Sequence, residues 1–213
     1  MPDIATINGI AEDNIATHNG GTASLYTSKN GNTWGHISYN VATGGDSHVR
    51  DGSTNYKVAT FTDDGTFEIT SVGSSGNDVV EYLVIAGGGA GAGGTTGSGA
   101  GGAGGYRTAT GFTVTQTTYS IQVGAGGSAV SDGPGGDGED SIFSTITSDG
   151  GGGGGRNSGT AGIREGRDGG SGGGSAGENA GTGAFIPAGT ATAGQGNNGG
   201  RGQHSGGSHN SGG

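Results

Sequence analysis

The sequence predicts a mainly β protein in which a small antiparallel β region leads into extended, polyproline-II-like glycine strands, with essentially no helix. Three observations predict it. Glycine supplies 58 of 213 residues, against an ordinary share of about 7%. The apolar residues ahead of the glycines alternate with polar ones and are broken by Asn-Gly and Asp-Gly pairs, which is the pattern of short hairpins. No window carries a sustained helical period. Apolar residues make up only 27% of the chain, so an oily core is thin. Each glycine also costs roughly 0.5–1 kcal/mol more to order than alanine. Such a chain folds only if its glycine segments are held by each other or by neighbouring chains.

The elements follow by composition. Residues 1–22 form a short, mildly apolar segment with a loose repeat: "IATING" at Ile4–Gly9 returns as "IATHNG" at Ile15–Gly20. Residues 23–86 form the β region. "SLYTS" and "WGHISYNVA" flank "KNGNT", where Asn30-Gly31 signals a hairpin. "YKVATFTDDGTFEITSV" repeats the scheme about a turn at Asp64-Gly65. Residues 87–213 form the glycine-rich strand domain, where glycine exceeds one residue in three. Two β-branched islands, "GFTVTQTTYSIQVG" and "EDSIFSTITSDG", interrupt it as further strands.

The stretch "VVEYLVIAGGGAGAGG" places Gly89, Gly91 and Gly94 in G-x-G-x-x-G spacing. A dinucleotide fold needs a helix next, with its N-terminus on the pyrophosphate, and an acidic residue about 20 positions on. "TTGSGAGGAGG" cannot be that helix, and no Asp or Glu occurs between Glu81 and Asp132. A collagen helix needs glycine at every third position and abundant proline; this chain breaks that frame and has three prolines. The remaining arrangement is an array of extended strands whose N–H and C=O groups bond sideways to several neighbours. Its backbones approach closely because there are no side chains. A partial three-residue spacing at Gly159 and Gly162 and at Gly196, Gly199 and Gly202 fits it.

Charge and motif content bound the function. A net charge of −10 argues against nucleic acid as a partner and against a polybasic membrane surface. No apolar stretch approaches the roughly 20 residues of a membrane span, so membrane insertion is not expected. "MPDIATINGIAEDN" lacks the basic and apolar regions of a signal peptide. There is no cysteine, hence no disulfide framework or thiol nucleophile. G-x-S-x-G and H-E-x-x-H are also absent. Asp63-Asp64 reads as turn chemistry, and Glu165 and Asp168 form a surface pair neutralised by Arg164 and Arg167. The expectation is no enzyme, no catalytic residue and no cofactor. "GGDGEDSIF", Gly135–Phe143, matches one turn of the calcium β-helix nonapeptide, with Asp137, Glu139 and Asp140 as candidate ligands. Such sites need tandem copies and one is present, so no metal is expected. His204 and His209 in "HSGGSH" read as a solvated tail. Tyr56, Phe61, Phe67, Tyr82, Tyr119 and Phe143 supply a small core, and Trp34 and Tyr39 hairpin core or subunit interface. Phe185 and Ile186 either anchor the glycine array or present a contact patch, with the anchor favoured.

The order "YKVATFTDDGTFEIT", "VVEYLVIAGGGAGAGG", "GGAGGYRT", "TYSIQVGAGG", "GGDGEDSIFSTITSDGGGGGG" resembles the glycine-rich domain of bacteriophage tail fibres and related virion appendage proteins over about residues 56–156. "INGIAEDNIATHNG" is similar to N-terminal segments of phage structural proteins, and residues 157–213 resemble glycine-rich adhesin tips in composition. The resemblance implies a virion structural protein, a tail fibre or adhesin that attaches to the host surface. It also implies a homotrimer, docked to other virion proteins through residues 1–22 and contacting a host-surface glycan or protein. A capsid or tail decoration protein without receptor binding is the alternative. A further alternative is a non-viral secreted glycine-rich matrix or ice-binding protein.

Overall fold

The computed structural model describes residues 6–7, 10–11, 25–29, 32–37, 39–50, 57–94, 97–157, 163–177, 185–205 and 208–210. Among them the secondary structure is strand alone. The strands are β1 (Thr6–Ile7), β2 (Ile10–Ala11), β3 (Leu25–Lys29), β4 (Asn32–Ile37), β5 (Val41–Thr43), β6 (Ser47–Arg50), β7 (Lys57–Thr60) and β8 (Gly65–Ser71). They continue as β9 (Val79–Ile85), β10 (Tyr106–Thr113), β11 (Thr118–Gln122), β12 (Ser141–Phe143), β13 (Ile146–Ser148), β14 (Phe185–Ile186), β15 (Gly202–Ser205) and β16 (Ser208–Asn210). The mainly β class and the lack of helix expected from the sequence hold throughout the described residues.

The chain forms two compact units. The first gathers Met1–Thr43, Glu68–Val80 and Thr110–Thr118. Within it β3 and β4 pair antiparallel, Lys29 opposite Asn32, as the Asn30-Gly31 signal predicts. β1 and β2 make a second small pair, Ile7 opposite Ile10. β5 pairs with the end of β8, Thr43 opposite Glu68, and Ile69 (1% exposed) and Val114 (2%) are the buried apolar residues described in this unit. Asn40 fastens the unit from its side chain: Oδ1 accepts the Gly73 N–H and Nδ2 donates to the Val79 carbonyl.

The second unit holds Gly44–Phe67, Glu81–Ala109 and Tyr119–Gly213. Here one expectation is corrected. β7 and β8 do not close a hairpin at Asp64-Gly65; β7 pairs with β6, Ser47 opposite Thr60. Asp64, one of the two acidic residues that suggested the turn, bonds elsewhere, and Asp46, from the β5–β6 connection, holds Thr62. Asp46 Oδ2 accepts both the N–H and the hydroxyl of Thr62 (2.6 and 2.7 Å), and Asp64 Oδ1 accepts the Val123 N–H (2.8 Å). The second β-branched island is itself a hairpin, β12–β13, with Phe143 opposite Ile146 and Ser144 at a φ of 55° in the turn. Five of the six expected core aromatics meet: Phe61, Phe67, Tyr82, Tyr119 and Phe143 form a chain of ring contacts at 5.8–6.5 Å. Tyr56 lies outside the described residues, as do the Trp34 side chain and the Asn30-Gly31 turn.

The rest of this unit is the glycine array. Its centre is segment 149–157, in which Gly150–Gly155 are all buried. All six N–H and all six C=O groups of Gly150–Gly155 are hydrogen-bonded. Gly151 and Gly154 donate to Gly87 and Ala90; Gly152 and Gly155 donate to Ser171 and Gly174. Gly102 and Gly99 donate to the carbonyls of Gly152 and Gly155, and Gly138 and Gly135 to those of Gly151 and Gly154. Every third residue therefore addresses the same neighbour, the signature of a strand with three residues per turn. Five segments surround the central one: 86–94, 97–105, 133–139, 163–169 and 170–177. The N–H donors of this central run find their acceptors within the chain.

Glycine is required here for space. Among the described residues of the array, positive φ occurs at Gly94, Gly97 and Gly194, in or beside connections. A Cβ on Gly150 or Gly153 would collide with the carbonyls of Gly138 or Gly135. One on Gly151 or Gly154 would strike Gly102 or Gly99, and one on Gly152 or Gly155 would strike Arg167 or Arg164. No position in the run faces solvent. Gly151→Val, Gly152→Val and Gly153→Val should therefore each destabilise strongly. Overpacking costs about 1–3 kcal/mol and each lost backbone bond about 0.5–1.5 kcal/mol more. Denaturant unfolding checks this; variants that unfold like the parent would refute the array.

Candidate functional site

The array's rim is where side chains act, and they act first as surrogate carbonyls. Asp140 Oδ1 accepts the Gly150 N–H and Asp137 Oδ1 the Gly153 N–H, each at 2.8 Å. The three-residue interval between the two aspartates matches the interval between the two glycines. Asp137 Oδ2 also faces Arg167 Nη1 at 3.3 Å. Glu139, one step from Asp140, turns to another neighbour and accepts the Ala125 N–H through Oε2 at 3.4 Å. A calcium ion needs 6–8 oxygens converging on one point, whereas these three carboxylates are spread over separate N–H groups. Among the described residues no group of three or more His, Asp or Glu side chains could hold a metal.

The same device recurs along the rim. Asp168 Oδ1 accepts the Thr190 N–H (2.6 Å), Asn198 Oδ1 the Ala191 N–H (2.8 Å) and Gln195 Oε1 the Asp149 N–H (2.8 Å). Ser175, fully buried, accepts from Gly202 N–H and donates its hydroxyl to the Ile186 carbonyl. Sequence reading missed Gln195, Asn198 and Ser175. The available signal was a hydrogen-bonding side chain beside a glycine run. Of the expected surface group, Arg167 reaches across to Asp137 and Asp168 accepts from Thr190. His204 and His209 are brought opposite each other in the β15–β16 pair.

Several connections of the array are gathered at one end. Hydrogen bonds join Ala92 to Gly99, Gly93 to Gly133, Gly99 to Gly155, Arg156 to Ile163 and Gly177 to Gly97. This end carries Asp132, ion-paired with Arg156, and the exposed Val130. Ile186, paired opposite Gly202, is 7% exposed and packs into the array, whereas Phe185 beside it is 60% exposed. The anchor and the contact patch posed as alternatives are thus divided between the two residues. Ser98 Oγ and Asn157 Oδ1 are buried without a hydrogen-bond partner among the described residues. The end combines polar groups with exposed apolar side chains on a rigid support, an arrangement that can make surface contacts.

A family model described as a glycine-rich domain matches residues 60–213. The match extends beyond residue 156 to include the region first assigned by composition. No curated protein and no solved structure matches significantly. No helix among the described residues is long and apolar enough to cross a membrane.

The rim makes stability acid-sensitive. The Thr190 backbone N–H, and then its hydroxyl, hold the Asp168 carboxyl below the ordinary value of 3.8. A lowered folded pKa stabilises the protein above the unfolded value and loses that contribution as pH falls through the folded one. Asp168→Ala should melt below the parent near neutrality, and the gap should close between about pH 5 and pH 2. Melting curves that stay parallel across that range would remove this role.

Proposed function

The chain belongs to the glycine-rich domain family, and from that premise we propose that it is a structural protein of a bacteriophage virion, a tail fibre or adhesin that attaches the particle to its host. The observation that carries the reading is the array with its gathered end. Backbone bonds hold the scaffold rigid, so the connections are free to vary and to present Phe185, Val130 and polar side chains to a host-surface glycan or protein. The motif order from Tyr56 to Gly155 supports the phage assignment by resemblance. In this reading residues 1–22 dock to another virion protein and the chain assembles as a homotrimer. It takes no nucleic acid, inserts in no membrane and catalyses no reaction.

The competing reading is a decoration or cement protein on the capsid or tail, where the array only projects or fastens. Immunogold labelling of virions separates them: tail-tip label supports attachment and head-surface label supports decoration. Purified protein should also compete with virions for host adsorption, and Phe185→Ala should weaken that competition roughly tenfold, as expected for a central aromatic contact. Undiminished adsorption at saturating protein would overturn receptor binding.

A further inference from the structure

Segments 86–94 and 97–105 are bonded to each other through Ala86 to Gly105, Gly89 to Gly102 and Ala92 to Gly99, and both are bonded to the central segment on their inner side. Their outer side is a groove. In a planar trans peptide the N–H and C=O point in opposite directions. Gly87, Ala90 and Gly93 donate to 139, 136 and 133, so the carbonyls of Ala86, Gly89 and Ala92 point away from that segment, toward the groove. The carbonyls of Ala100 and Ala103 accept from Gly174 and Ser171, so the N–H groups of Gly101 and Gly104 point away from segment 170–177, also toward the groove. None of these outward carbonyls and N–H groups is bonded to another described residue. One wall is thus a row of acceptors and the other a row of donors, each repeating every three residues.

The groove's floor gives a second, independent observation. A Cβ on most glycines of the array would collide with backbone, but on Gly88 or Gly91 it would meet nothing nearer than 3.7 Å. Both glycines are exposed. The fold of this chain does not explain their lack of a side chain, although each carries the ordering cost of glycine. A strand laid in the groove does explain it. At one end the groove meets Ile85 and Tyr106, 56% and 53% exposed, which supply apolar surface beside the bare backbone.

We propose that this groove receives an extended glycine strand from a second copy of the chain, which accepts from Gly101 and Gly104 and donates to Ala86, Gly89 and Ala92. The occupant must have three residues per turn and no side chains on the face it presents. This chain, with 58 glycines, makes such strands. A strand that fills the groove differs from the strands that wall it, so the contact is head-to-tail; such contacts form rings where the rotation closes and filaments where it does not, and the homotrimer proposed above requires the ring. The inference deepens the reading of a self-assembling virion protein and rests on it.

Sedimentation and far-ultraviolet circular dichroism of the full chain, Gly88→Val and Gly91→Val test it. The parent should sediment as a closed oligomer. Each variant should keep the parental spectrum yet dissociate, with the midpoint of assembly raised at least tenfold in concentration. Oligomeric variants indistinguishable from the parent would overturn the groove and leave self-assembly standing. A parent monomeric to hundreds of micromolar would overturn both. Loss of the parental spectrum in the variants would show that the space above Gly88 and Gly91 is not open, and would overturn the groove as well.

Discussion

Everything in the second unit depends on the missing Cβ of the central glycine run. Neighbouring backbones approach so closely that a single methyl group at any of Gly150–Gly155 would overlap a carbonyl. That closeness lets one strand bond to five others, where a β-strand bonds to two. The gain is in hydrogen bonds and dispersion between backbones, which replaces part of the apolar burial that this composition lacks. The aromatic cluster of Phe67, Tyr119 and Phe143 is a conventional small core beside it. The two solutions meet in the chain at Ile85–Ala86 and Ser148–Asp149, where sheet strands run directly into glycine strands.

The mode of glycine packing was legible because alternatives could be eliminated from composition. The broken frame excluded collagen, and the missing helix excluded a dinucleotide turn. The aromatic core was legible from alternation at Phe67, Tyr82, Tyr119 and Phe143. Strand partnering was not. Asp63-Asp64-Gly65 has the chemistry of a tight turn, but Asp64 is claimed by Val123, 59 residues away, and no local rule sees that bond. Asp137, Glu139 and Asp140 were singled out as residues, as candidate ligands with no metal expected, but their part as acceptors for backbone N–H groups was not legible. A carboxylate beside glycines suggests a cation in one context and a terminal acceptor for backbone N–H groups in another. Only the position of segment 149–157 decides between them. Phe185 and Ile186 show the same limit: both are apolar, and register alone sends one inward and one outward.

The acidity of the chain has a structural side. An array of bare backbone has as many N–H donors as carbonyls, but a strand at the rim can be displaced by a side chain that brings an oxygen. Asp137, Asp140 and Asp168 do this with charge, and Gln195 and Asn198 without it. Charge-assisted acceptors are the stronger choice. Part of the net charge of −10 is therefore built into the scaffold and is not simply a feature of its outer surface.

The threefold repeat of the glycine strands makes them behave like screw threads. Inserting one residue into such a strand advances the backbone by about 3.1 Å and turns everything beyond it by about 120°. Each N–H past the insertion would then face the wrong neighbour. Three inserted residues make one full turn and restore every direction. Length variation in these segments should consequently come in steps of three, while the connections between them can change by any number.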